Sequence, residues 1–198
     1  MMNQFIAIFL IIVGLLMIGL WTFFLVKRGE NPELIQEFKE TPYQIKLHLV
    51  AEYTTAVLSI ISGLFILLGF SQFWLLTPIS LGMVLFASFQ ALISYAVEGE
   101  KDFIIILVII TSLTIFSIIL EISMGITGNI QGSTLLSETL WIWVVVSISL
   151  GMTLYIIIQT IGYELHFGKG KYFDRYISLI FVLLFLLITI IVLILYLP

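Results

Sequence analysis

Residues 43–70 read YQIKLHLVAEYTTAVLSIISGLFILLGF. At 1.5 Å rise per residue this run is long enough to cross the roughly 30 Å hydrocarbon core of a bilayer as one helix. Yet it holds His48 and Glu52 one turn apart, followed at helical spacing by Thr55, Ser59 and Ser62. Ionisable groups are costly inside a membrane, so they face a protein interior and mark functional positions. One helix cannot supply that interior. The stretch therefore asks for a bundle of spans with this polar stripe turned inward.

The remaining sequence supplies the other spans. The chain is 61% hydrophobic and 10% charged, with a mean hydropathy of +1.22. Soluble domains average about 45–50% apolar and about 25% charged, so this composition belongs to an integral membrane protein. Five further segments have the required length: Phe5–Val26, Leu76–Val97, Phe103–Met124, Leu140–Tyr163 and Tyr176–Leu197. The runs are continuous and do not alternate, and backbone groups in lipid must be satisfied within the segment, so helices are expected and not barrel strands. The expected fold is all-α: a polytopic transmembrane helical bundle of six spans in a single domain, residues 1–198. Thr41-Pro42 and Thr77-Pro78 read as an N-cap followed by Pro at the first helical position, and Asn31-Pro32-Glu33 opens a short loop helix in the same way. The first span has no basic region before it and no small-residue cleavage site, and reads as a retained helix, not a secretory signal.

The basic residues set the orientation. Lys27, Arg28, Lys39, Lys46, Lys101, Lys169, Lys171 and Arg175 all fall on one side of the six spans. The positive-inside rule makes that side cytoplasmic, with loops 27–42, 98–102 and 164–175 inside a cell membrane and both termini outside. Trp74, Trp141 and Trp143 at the outer ends, with Trp21, Tyr172 and Tyr176 at the inner ends, read as interfacial anchors. Residues 30–40 have the pattern of an interfacial helix with Leu34, Ile35 and Phe38 toward lipid. Residues 125–138 form a glycine-rich outer loop. The first and last three spans would form an inverted pair by topology, but the halves show no convincing sequence match, and three hairpins with inner loops fit equally well.

Polar residues then pick out an interior. Span three carries Ser80, Ala87, Ala91, Ser94 and Glu98 on one face, with Gln90 and Tyr95 beside it. Span four carries Thr114, Ser117 and Glu121, the last about 27 Å along its helix. Span five carries Tyr155, Gln159, Gly162 and His166, with Glu164 adjacent. Span one (Gly14, Gly19, Thr22) and span six (Ser178, Thr189) read as lipid-facing scaffold around a core of spans two to five. The inner half of that core is expected to gather His48, Glu52, Tyr95, Glu98, Glu164 and His166, with Glu121 toward the outside; with Gln159 these are the expected substrate or proton path. Meeting groups of this kind share a proton.

These residues admit several chemistries. The chain has no cysteine, which excludes disulfides, thiolate metal sites and cysteine nucleophiles. No cofactor is expected; a haem or divalent metal held through His48 and His166 is the alternative, without an H-E-x-x-H or paired-His pattern behind it. No phosphate loop or nucleophile turn is present, and the basic residues read as topology, so nucleic-acid binding has no support. Three readings remain: transport or permeation of protons or a small solute through spans two to five; an intramembrane acid/base enzyme on a lipid-like substrate; and a non-catalytic membrane subunit. Expected partners are membrane lipids, with a homo-oligomer or membrane-complex partner open.

The segment His48-Leu-Val-Ala-Glu52, then Ser80-Leu-Gly-Met83, then Tyr95 with Glu98-Gly-Glu-Lys101, resembles a group of small prokaryotic multipass membrane proteins with no assigned activity. The likeness covers about residues 48–101. It implies a helical membrane fold and no particular reaction, and it draws attention to His48 and Glu52.

Overall fold

The computed structural model describes residues 2–27, 42–70, 74–98, 101–127 and 137–164. Every regular element among them is a helix: α1 (Met2–Lys27), α2 (Pro42–Leu67), α3 (Leu76–Glu98), α4 (Lys101–Ile126) and α5 (Ser137–Glu164). The expected span 176–197 and the expected loop helix at 30–40 lie outside the described residues. Helices α1 to α4 are long and apolar enough to cross a membrane; among the described side chains of α5 the apolar stretch runs over Trp141–Ile157. Helix α2 stops three residues short of the expected Phe70, for a local reason. Gly69 takes φ +74°, its N–H donates to the Ile66 carbonyl at 3.2 Å, and the Phe70 N–H donates to Phe65 at 2.9 Å. That is a Schellman stop, which needs the left-handed residue that glycine supplies. Helix α3 begins at Leu76, so Thr77-Pro78 sits inside its first turn, where the missing proline N–H costs nothing.

Lipid tails are as apolar as leucine, so burial of apolar surface does not drive helices together; close backbone packing and polar contacts do. Two pairs show this. In the antiparallel pair α1–α2, a Cβ added at Gly14 would lie 2.6 Å from the Ala56 carbonyl oxygen, and one at Gly63 would lie 2.5 Å from that of Ala7. The small residues Ala7, Gly14, Ala56 and Gly63 thus form one reciprocal seam. The sequence pattern predicts span one to be lipid-facing scaffold packed outside a core of spans two to five. Ile8, Ile12, Leu15 and Leu16 are exposed, and the opposite face of α1 (Ile6, Ala7, Phe9, Leu10, Val13, Gly14) is buried. Gly63 packs against Ala7 and Ile11 of α1.

The second pair, α3–α5, approaches more closely still. A Cβ on Gly82 would collide with the Ile148 carbonyl, and a Cβ on Gly151 with that of Ile79. The four residues are related by sequence. Ile79-Ser80-Leu81-Gly82-Met83 recurs 69 residues later as Ile148-Ser149-Leu150-Gly151-Met152. In the same register Trp74 matches Trp143, Leu85 matches Leu154, Gln90 matches Gln159, and Phe86 stands where Tyr155 does. Phe86 and Tyr155 meet with ring centroids 5.3 Å apart. Equivalent residues at one level mean that the two helices run parallel and cross at their glycines. Helices α2 and α4 take similar places beside this pair. Both are 26 residues long, both pack on α3 and α5, and aligned end to end they set Thr55 against Thr114 and Ser62 against Glu121. The sequence repeat itself is confined to α3 and α5.

The outcome is a bundle with an inverted polarity pattern. Buried side chains include Glu52, Thr55, Ser59, Ser62, Thr111 and Glu121, while Leu64, Phe89, Ile105, Ile109 and Ile119 are exposed. Filling the glycine crossing should be costly. Gly82→Ala or Gly151→Ala is expected to destabilise the bundle by about 1–3 kcal/mol, the usual cost of overpacking, and Gly19→Ala to be neutral, since a Cβ there meets nothing within 4 Å. Thermal unfolding in detergent micelles checks both.

Candidate functional site

Glu52 lies about 15 Å along α2 from Pro42 and is 6% exposed. It is buried because its face of α2 packs on α3 and α5, beside the cluster of Ala51, Met83, Ala87 and Tyr155. The Tyr155 hydroxyl donates a hydrogen bond to the Glu52 carboxylate oxygen Oε1 from α5. His48, one turn back on α2, places Nε2 at 3.8 Å from the same Oε1. That spacing is an ion pair when the imidazole is protonated. His48 is the more open partner, its side chain 31% exposed against 7% for Glu52. The edge of Trp21 from α1 packs on the His48 ring, centroids 5.1 Å apart at 79°. Next to it Thr22 and the Tyr53 hydroxyl are hydrogen-bonded at 3.0 Å.

The site is therefore a carboxylate with a phenol on one side and an imidazole on the other, at a three-helix junction closed over by α1. The donors on a carboxylate hold it in place, and a buried carboxylate without them is expensive. A proton can pass between three such groups with little heavy-atom movement. The sequence marks Tyr155 only as part of a stripe, and sequence reasoning misses its role as the partner of Glu52. The repeat carries a signal for it: at the equivalent place α3 has Phe86, so the hydroxyl is a departure from the shared pattern.

Polar residues continue along α2 away from His48. Thr55 donates to the Ala51 carbonyl at 2.8 Å, and Ser62 donates to the Thr77 hydroxyl of α3 at 3.1 Å. Between them Ser59 is fully buried, and its Oγ has no hydrogen-bond partner among the described residues. Helix α4 buries its own polar face: Thr114 donates to Ile110 at 2.7 Å and Ser117 to Leu113 at 2.8 Å. Thr111 on that face is also buried, with no partner for its hydroxyl among the described residues.

The expected site residues are distributed as follows. His48 and Glu52 are brought together. Tyr95 stacks on Phe103 of α4, centroids 4.9 Å apart and 13° from parallel. Glu121 is 4% exposed, five residues from the end of α4, and takes part in no hydrogen bond or ion pair among the described residues. Its position along α4 is about 15 Å further from the Lys101 end than Glu52 is from the Pro42 end of α2. Aligned end to end with α2 it falls opposite Ser62, which meets Thr77 of α3, whereas α5 has Val146 at the place of Thr77. Glu98 and Glu164 close α3 and α5 and Gln159 lies on α5, but these three side chains are outside the described ones, as is His166 altogether. Among the described residues no three His, Asp or Glu side chains gather as a metal site requires.

A family model, a domain of unknown function (DUF8058), matches residues 1–118. The chain belongs to that family. The matched part contains α1, α2, α3 and most of α4, hence His48 and Glu52, and stops before Glu121 and Tyr155. No curated protein and no solved structure matches the chain.

The pairing of Glu52 with Tyr155 makes a double-mutant cycle decisive. Tyr155→Phe alone should cost about 1–3 kcal/mol, because the carboxylate loses its donor while still buried. Combining it with Glu52→Met should recover much of that loss, since an apolar pair of similar volume is close to neutral there. Denaturation in detergent, compared across the four chains, reads the coupling.

Proposed function

We propose that the protein is a multipass membrane protein that passes protons, or a small solute coupled to them, through the interior formed by α2 to α5. The observation that carries this reading is the Glu52 carboxylate, buried in an apolar span, hydrogen-bonded by Tyr155 and 3.8 Å from His48. Nothing in plain helix packing requires a carboxylate at that depth, and chains of Asp, Glu and His in membrane spans serve as proton relays. His48, the more exposed member, is the entry to the relay, Glu52 the holding group and Tyr155 the group that orients it. Glu121 is a second carboxylate toward the other face.

The topology belongs to the same proposal. It has six spans, the sixth over residues 176–197, with basic loops 27–42, 98–102 and 164–175 cytoplasmic. His48 then opens toward the cytoplasm and Glu121 toward the outside. A chain without cysteine allows this to be tested directly. The single variants Glu100→Cys and Asn129→Cys should be labelled by an impermeant maleimide from opposite sides of sealed membranes; labelling of both from one side would overturn the orientation.

For function, the full chain in proteoliposomes with a trapped pH indicator is expected to dissipate an imposed proton gradient. Glu52→Gln should slow that by about a hundredfold, the lower end for removing a positioned acid–base group, and Tyr155→Phe should have a smaller effect. Equal rates in Glu52→Gln and the unaltered chain would sink the relay. An acid/base enzyme would use the same side chains without any flux, turning over an added lipid-like substrate in the presence of His48 and Glu52 only.

A further inference from the structure

Ser59 on α2 and Ser80 on α3 are each fully buried, and neither hydroxyl has a hydrogen-bond partner among the described residues. They are not scattered. The Ser62–Thr77 hydrogen bond at 3.1 Å fixes the antiparallel register of α2 against α3. One turn from that bond, three residues back on α2 and three forward on α3, the register reaches Ser59 and Ser80 on the facing sides. The two hydroxyls thus sit at one level of the same interface, and the hydrogen-bonded pair above them shows that the interface orients hydroxyls across it. The level below holds Thr55, whose hydrogen is spent on Ala51 and whose oxygen still accepts, and then Glu52. The repeat sharpens the contrast. Ser149, the counterpart of Ser80, donates to its own helix at Val145, 3.0 Å away, and Ile118 stands at the counterpart of Ser59. The second hairpin has no such pair.

We propose that Ser59 and Ser80 form a site for a small hydroxylic ligand, water itself, bridging α2 and α3. Buried water needs two to four polar partners, and it takes up hydroxyls that would otherwise be unsatisfied. Ser59 and Ser80 donate to or accept from it, Thr55 accepts on the Glu52 side, and the Ser62–Thr77 pair lies beyond it. Resting on the proton-relay reading, this water continues the relay from Glu52 along the α2–α3 interface.

X-ray radiolysis of the full chain in membranes tests the site without relying on transport, because radicals formed from bound water modify buried side chains next to it. Met83, one turn from Ser80 and 1% exposed, is the reporter. Met83 is expected to be modified in the unaltered chain and at least several-fold less in Ser59→Ala/Ser80→Ala, with modification of exposed Met2 unchanged. Each single variant, keeping one hydroxyl, should stay closer to the unaltered chain. Protection of Met83 in the unaltered chain, or equal modification in the double variant, overturns the site. The proteoliposome assay separates the two claims. Modification lost together with flux supports both. Modification lost in a chain that carries no flux supports the water site and removes the relay reading. Replacing both hydroxyls together leaves neither one buried and unpaired, so the double variant is expected to stay folded, and its thermal unfolding in detergent checks that the comparison is interpretable.

Discussion

The contact on which the bundle depends is the crossing of α3 and α5 at Gly82 and Gly151. In a lipid-like environment nothing squeezes helices together for the sake of apolar burial, so the approach has to come from backbone fit. Each of these glycines lies against the carbonyl of the other helix's isoleucine, at a separation that no side chain tolerates. That closeness brings Tyr155 onto Phe86, and with it the phenol hydroxyl onto Glu52. A wider crossing would leave the carboxylate without its donor. The chemistry on α2 is therefore set by two glycines that carry no chemistry.

The two hairpins, α2–α3 and α4–α5, differ in where their polar groups lie. Both hairpins have a buried polar face, and both share the crossing helix, but the substitutions differ between them. Glu52 has Thr111 at its counterpart, Tyr155 has Phe86, and Ser62 has Glu121. One hairpin plan thus carries its carboxylate near one end in the first copy and near the other end in the second. The first carboxylate is well supplied with partners. The second has none among the described residues, because Val146 replaces the hydroxyl that the first copy provides. The two hairpins thus carry one held carboxylate and one with no partner among the described residues.

Much of the fold was legible in the sequence. Continuous apolar runs of span length specify helices because the backbone has no other way to satisfy itself in lipid. Glu52 and His48 were legible as a site because their cost in such a run is hard to explain otherwise. What was not legible was register. The partner of Glu52 is 103 residues away, and which turn of α5 meets it depends on where Gly82 meets Gly151. Glycines in an apolar run look the same whether they face a helix, as Gly14 does, or open space, as Gly19 does. The repeat shared by α3 and α5 is present in the sequence, at an offset of 69 residues, but an offset alone does not say which turns of the two helices meet.

The proposed relay requires that the Glu52 carboxyl exchange a proton while Tyr155 holds it. Infrared difference spectroscopy of the full chain in membranes, between acidic and alkaline buffer, measures the exchange most directly. A protonated-carboxyl C=O band is predicted to change between the two buffers, to be missing in Glu52→Gln, and to shift in frequency in Tyr155→Phe because its hydrogen-bond donor is gone. A difference spectrum that is the same in the unaltered chain and in Glu52→Gln would contradict this.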